Sequence, residues 1–309
     1  MDQINLTIFT PAYNRAELLP VLYQSLQQQT DHRFEWLIVD DGSSDHTREL
    51  VEGWLEVQNP FPIRYYRQEN GGKHTAINRG AAMAHGELFF IVDSDDTLPP
   101  HSVETTLRWA NTLPADAIET FCGVCGLKAY SAEKAVGESF DGEWIDCTCL
   151  ERERCGIRGD KAEVFFTELL RRYPFPVFEG ERFVTEAVVW DRMARDGYRL
   201  RYFNEITYLC DYLEGGLTNQ GMDLYFRNPK GYGLYLRQCR EFGKFAQPVQ
   251  TYYEIQCFLA WRKTMSMKQI SQLLGIPAGP LAIRSAMYRT REILSPIKQR
   301  LLGRIRRNK

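Results

Sequence analysis

Four short apolar runs, each handing over to a segment of helical periodicity, constrain this chain more than any other feature. "LTIFT" begins at residue 6, "WLIVD" at 36, "IRYYR" at 63 and "LFFIV" at 88. After the first run, Leu18, Leu19, Leu22 and Leu26 recur on one helical face; after the second, Leu50, Val51, Trp54 and Leu55 do the same. A third helix is predicted from about Lys73, with Ala76, Ile77, Gly80, Ala81 and Ala84 inward, small enough to lie close on a sheet. Continuous apolar strands alternating with helices predict an α/β domain built on a mostly parallel sheet covered on both faces. Right-handed crossovers place all four carboxyl ends on one edge, where such sheets bind ligands.

The segments at those ends share a chemistry. They are "PAYNR" (11–15), "DDGSSD" (40–45), "ENGGKHTAINRG" (69–80) and "DSDD" (93–96). Clustered carboxylates at a buried strand tip repel, so they call for a metal ion, a helix N-terminus or a basic neighbour. Arg15, Lys73 and Arg79 are expected to reach the same crevice. Each segment also reads alone as ordinary connection: "DDGSSD" as a turn with Asp45 as N-cap, "ENGGK" as a loop or a phosphate cradle. There is no P-loop spacing and no Gly-x-Gly-x-x-Gly after the first strand, which argues against a dinucleotide-binding dehydrogenase. Taken together, carboxylates for a hard divalent cation and lysine and arginine for phosphate point to a diphosphate-and-metal site.

"TPAYNR", "VDDGSSD", "NGGKHTAINRG" and "DSDD", in this order, resemble the nucleotide-binding half of family 2 glycosyltransferases of the GT-A fold. The resemblance covers residues 4–110, and 175–215 more loosely. It implies a Rossmann-like nucleotide-binding domain over residues 1–220, with a donor-binding half to about 115 and an acceptor-binding half beyond it. It implies that Asp41 reads the nucleobase edge and that Pro11, Ala12 and Tyr13 line the base pocket. Asp93 and Asp95 look like the Asp-x-Asp motif, with Ser94 between them. Asp93 faces the ribose and metal shell, and Asp95 is the direct ligand of Mn²⁺ or Mg²⁺. Lys73 and Arg79 fall where the family places groups near the diphosphate, and Arg15 joins the nucleotide-binding set. The resemblance implies a nucleotide-diphosphate-sugar donor, UDP first among them; Asp96 is expected to begin the next turn.

An inverting displacement needs a base for the acceptor hydroxyl. In "FEGERFVTEAVVWDRMARDGYRLRYFNE" (178–205), a helix with Val188, Val189, Met193 and Ala194 on one face stops near Gly197 and returns as a strand. The family places Glu-Asp at such a helix start. Here Thr185 and Glu186 stand in those positions, so Glu186 is the expected base and Glu181 the runner-up. The Gln-x-x-Arg-Trp motif of processive synthases is absent, which favours transfer of a single sugar to a glycan or lipid-linked acceptor.

Residues 221–309 are expected to form a helical C-terminal extension. Net charge is −2, yet residues 262–309 hold 12 Lys/Arg and one acidic residue. From Ser295, Ile297, Leu301, Leu302 and Ile305 form an apolar face among basic residues, which suits an amphipathic helix on anionic lipid. A helix-turn-helix reading of 267–289 is disfavoured by Pro277 and Pro280, and nucleic acid is not an expected partner. A glycine-rich loop after Asp211 could close over the donor. The aromatic residues Tyr232, Tyr235, Tyr252, Tyr253 and Trp261 read as core. No signal peptide and no apolar run of membrane-spanning length is present, so the expected location is cytoplasmic, with possible peripheral contact through 295–309. The eight cysteines fit a reduced compartment, and their spacing is poor for zinc. The competing functions are a sugar nucleotidylyltransferase, for which "TPAYNRAELL" lacks the glycine-rich loop, and a non-catalytic nucleotide-binding, membrane-docking protein.

Overall fold

A computed structural model describes residues 4–210 and 221–286. The chain divides into two compact units, Met1–Gly221 and Met222–Lys309. In the first, the predicted alternation is realised as β1 (Leu6–Ala12), α1 (Leu19–Gln27), β2 (Phe34–Asp40), α2 (Thr47–Leu55), β3 (Ile63–Arg67), α3 (Lys73–Met83), β4 (Leu88–Ile91) and α4 (Ser102–Ala110). There follow β5 (Phe121–Ser131), β6 (Lys134–Ala135), β7 (Trp144–Cys147), β8 (Lys161–Phe166), α5 (Thr167–Arg172), α6 (Ala187–Arg195) and β9 (Arg199–Leu209).

These strands make one nine-stranded sheet in the order β3-β2-β1-β4-β8-β5-β9-β7, with β6 paired to β5. The first four strands are parallel throughout, and β2 is buried at every position. Beyond β4 the sheet becomes mixed. β8 is antiparallel to both β4 and β5, while β9 is parallel to β5. Two reversals restore direction, so the carboxyl ends of β5 and β9 return to the same edge as those of β1–β4.

One sheet face is covered by α1, α2 and α4, through Leu19, Leu22, Leu26, Val51, Val103 and Leu107. Each fully buried aliphatic side chain here contributes about 1.5–3 kcal/mol. Leu55 departs from the predicted inward face of α2 and is 45% exposed. Trp54 makes the contact instead, its ring stacked 4.4 Å from Tyr23 and 5.5 Å from Trp36. On the other face α3 lies close to the sheet as its small residues predict: a Cβ at Gly80 would stand 2.3 Å from the Phe9 ring. α6 packs alongside, with Trp190 stacked 4.1 Å from Phe165 of β8.

The second unit holds α7 (Gly221–Arg227), α8 (Pro229–Glu241), α9 (Gln247–Trp261) and α10 (Met267–Leu274), and residues 278–286 are also helical. Tyr232 and Trp261 are buried in its core and Tyr235 and Tyr253 pack against it, whereas Tyr252 is 46% exposed. The turn after α10 is shorter than the two prolines predict. Pro280 lies in the first turn of the next helix, where its missing N–H costs nothing. No helix among the described residues is long and apolar enough to cross a membrane. The glycine-rich loop and the basic segment from Ser295 lie outside the described residues.

Candidate active site

All four predicted segments are tied together by side chains. Asn14 sits at φ 54°, a left-handed conformation that asparagine tolerates better than most residues. There its Oδ1 accepts the Ser44 N–H at 2.8 Å, while its own N–H donates to Ser43 Oγ at 2.8 Å. The Arg15 Nε donates to Ser94 Oγ at 3.0 Å, so the first and fourth strand ends meet directly. Ala12 is buried and takes part through its backbone, its carbonyl accepting the Asp41 N–H at 2.7 Å. Tyr13 is exposed beside it.

The two aspartates of "DDGSSD" separate by role. Asp40 is fully buried and accepts from the Ser43 N–H at 2.7 Å and the Tyr65 hydroxyl at 2.6 Å, which shapes its own turn. Asp41 reaches across to the third strand end. Its Oδ1 accepts from Gln68 Nε2 at 2.7 Å and the Gly71 N–H at 2.9 Å, and its Oδ2 from the Gly72 N–H at 2.7 Å. A carboxylate has about four lone-pair sites, so one remains for a ligand.

Lys73, the first residue of α3, is the centre of the crevice. Its Nζ lies 2.7 Å from Asp93 Oδ1 and 3.1 Å from Glu186 Oε1. Burial works against the ammonium, but the two carboxylates outweigh it and hold Lys73 above the usual lysine range. Burial likewise raises Asp93, and Lys73, Lys128 and Arg15 together bring it below the usual carboxylate range. Glu186 precedes α6, with 34% of its side chain exposed. The approach of its segment to α3 depends on Gly72, where a Cβ would stand 1.9 Å from the Arg182 carbonyl oxygen. Glu181 is 8% exposed and so less accessible than Glu186.

Asp93–Asp96 forms a turn closed by the Asp96 N–H on the Asp93 carbonyl at 3.1 Å. Asp96 is more than a turn residue. It is buried against the Tyr208 hydroxyl at 2.6 Å, and burial pushes it up to about 7. The same hydroxyl accepts the Asp93 N–H at 2.9 Å. Asp95 is half-buried and engages no hydrogen bond or ion pair among the described residues.

Arg79 makes no hydrogen bond or ion pair with Lys73, Asp93 or Glu186 among the described residues. It lies six residues beyond Lys73, about 120° around the helix from it. Its guanidinium donates to the Arg67 carbonyl at the end of β3, at 3.0 Å. Residues that sequence reasoning missed are Gln68, Tyr208 and Lys128. Tyr208 carried no sequence signal. Lys128 did, because it stands near the carboxyl end of a strand, where the first four strands hold their polar groups.

A parallel sheet edge carrying a carboxylate turn, a helix-N-terminal lysine and a facing glutamate defines an α/β domain with an acid-lined crevice at its strand ends. The family model for "Glycosyl transferase family 2" matches residues 7–172, more than half of the chain, and the chain belongs to that family. The glycosyltransferase GlyG of Streptococcus pneumoniae is 32% identical over 114 residues, 37% of each protein. The chain thus spans less than half the length of the curated relatives it matches. Among solved structures, Staphylococcus aureus TarS 1–349 in complex with UDP-GlcNAc superposes with a TM-score of 0.58 at 18% identity, covering 87% of this chain and 70% of that one. The mannosyltransferase PcManGT of Pyrobaculum calidifontis, in complex with GDP-Man and Mn²⁺, gives 0.56 at 17% identity, covering 96% and 83%. The fold is GT-A, with helices at the C-terminal end.

Proposed function

We propose that this protein is an inverting, metal-dependent, non-processive glycosyltransferase, moving a sugar from a nucleotide-diphosphate donor to an acceptor hydroxyl in surface glycan or lipid-linked glycan assembly. The observation that carries the reading is the Lys73 bridge. One ammonium touches both Asp93 of the carboxylate turn and Glu186, so a donor group and a base stand within the reach of one sugar ring.

In this reading the remaining acceptor site of Asp41 takes an N–H of the base, with Tyr13 and Pro11 at the pocket and Arg15 and Ser94 beside the nucleotide. Asp95 and Asp93 suit Mn²⁺ or Mg²⁺, since such ions bind through one or two carboxylates plus substrate phosphates and water. When bound, the ion would neutralise charge building on the leaving diphosphate. Glu186 takes the acceptor proton from the face opposite the leaving group. Neighbours that bind UDP-GlcNAc and GDP-Man support a nucleotide-sugar donor, and UDP is the first nucleoside diphosphate to test. Contact with the cytoplasmic face of a membrane, through residues 295–309, belongs to the same proposal.

Thermal shift with UDP, GDP and dTDP, with and without Mn²⁺, tests the donor site. One diphosphate should stabilise the wild-type chain in a manganese-dependent way, and Asp95→Ala should abolish that dependence. No stabilisation by any of the three, or a manganese effect that survives Asp95→Ala, defeats the assignment.

A further inference from the structure

Lys128 reaches the crevice edge from β5, and no role assigned so far uses it. It is half-buried, with its Nζ 4.1 Å from the centre of the Tyr208 ring. Among the described residues its ammonium makes no hydrogen bond and has no carboxylate within 4.0 Å. The hydroxyl of that same ring contacts both the Asp93 N–H and Asp96, so the ammonium stands one ring away from the carboxylate turn. Its field acts on Asp93, Asp96 and Glu163.

The other crevice cations are engaged. Lys73 is held by Asp93 and Glu186, and Arg15 by Ser94 and the Asn14 carbonyl. A phosphate entering here adds negative charge beside Asp93, Asp95 and Glu186, and is best met by a cation that need not first give up a hydrogen bond or ion pair. Lys128 is such a cation. A contact with a ring face is weaker than a charge-assisted hydrogen bond to phosphate, and the flexible lysine stem lets the ammonium move from one to the other.

We infer that Lys128 is a phosphate-binding residue of the crevice, taking an oxygen of either the donor β-phosphate or a phosphorylated acceptor, with the Tyr208 ring holding it in reach. This rests on the reading of the crevice as a nucleotide-sugar site. Calorimetric titration of the full chain with UDP, UMP, GDP and GMP in Mn²⁺, and with geranylgeranyl phosphate against geranylgeraniol in detergent, tests it. Lys128→Met keeps the stem on the ring and removes the charge. For a β-phosphate role, it should weaken the nucleoside diphosphate at least tenfold and the monophosphate less than twofold, with Lys128→Arg close to wild type. For an acceptor role, diphosphate affinity should hold while geranylgeranyl phosphate loses its advantage over the alcohol. Unchanged affinities for both phosphate classes, in a variant that melts with the wild type, overturn the inference alone. A wild-type chain that binds no nucleotide overturns the proposed function with it. Should Lys128→Met fail to fold, Lys128→Gln and Lys128→Arg carry the same comparison.

Discussion

Gly72→Ala strikes the joint between the loop that precedes α3 and the segment that carries Glu186. Gly72 has φ 93° and ψ 158°, a region that is essentially closed to other residues and costs them about 1–3 kcal/mol. An added Cβ would also stand 1.9 Å from the Arg182 carbonyl oxygen and 2.6 Å from its carbon. Both atoms are backbone, so no rotamer change relieves the clash and the 178–186 segment must withdraw, adding about 1–3 kcal/mol of overpacking strain. The sum is about 2–6 kcal/mol. In a unit of this size 1 kcal/mol lowers the melting temperature by about 2–4 °C, so a fall on the order of 10 °C is expected. Gly180→Ala is the control, because Gly180 has φ 80° but nothing within 4 Å of its Cβ position. That variant bears only backbone strain of about 1–2 kcal/mol. Thermal melts of both variants, with sugar transfer measured below the lower transition, separate clash from strain. Withdrawal moves Glu186 away from Lys73, so Gly72→Ala should also lose transfer. If it melts with Gly180→Ala and retains transfer, the joint has no such role.

His74 is 2% exposed, neither ring nitrogen has a hydrogen-bond partner among the described residues, and burial lowers its pKa, against the pull of Asp41 and Glu186. The folded chain therefore holds it neutral while the unfolded chain takes up a proton below about pH 6.5, so its stabilising share is present above that pH and lost as pH falls towards the depressed value. His74→Leu should flatten the acid side of the melting profile between pH 7 and 5; an unchanged slope removes His74 from the account. Glu186→Gln should bind donor within about twofold of wild type and lose transfer by about 10²-fold or more, whereas Glu181→Gln should keep transfer. Retained turnover in the first and loss in the second would exchange their roles. Truncation before Ser295 should reduce flotation on anionic vesicles, and equal flotation would exclude the tail as a membrane contact.

The shared edge of the first four strand ends was legible because its rule is topological. Four apolar strands separated by helices fix which residues share an edge, and the polar groups at those ends could be named without knowing any distance. Pairing among them was not legible. Nothing in "DDGSSD" says that Asp40 folds back on Ser43 and Tyr65 while Asp41 bridges to Gly71 and Gly72. Nor was the partner of Arg79 legible: six residues beyond Lys73, helical phase turns it to the Arg67 carbonyl at the β3 end of the same edge.

The second half of the sheet was harder, because its strands pair in mixed directions and break the apolar run with polar residues, as "CGLKAYS" does in β5. Two lysines there look alike in sequence and differ in kind. Lys161, on β8, is 2% exposed, and its ammonium donates to the carbonyls of Val136 at 2.9 Å, Arg158 at 2.5 Å and Asp160 at 3.3 Å. Those acceptors saturate its three donors, so the charge is consumed in pinning 136 to 158–160. Among the described residues Lys128 has a ring face and no acceptor. Composition counts both as one positive charge, and strand periodicity cannot separate them. What separates a structural lysine from one available to a ligand is how many of its three donors the fold already fills.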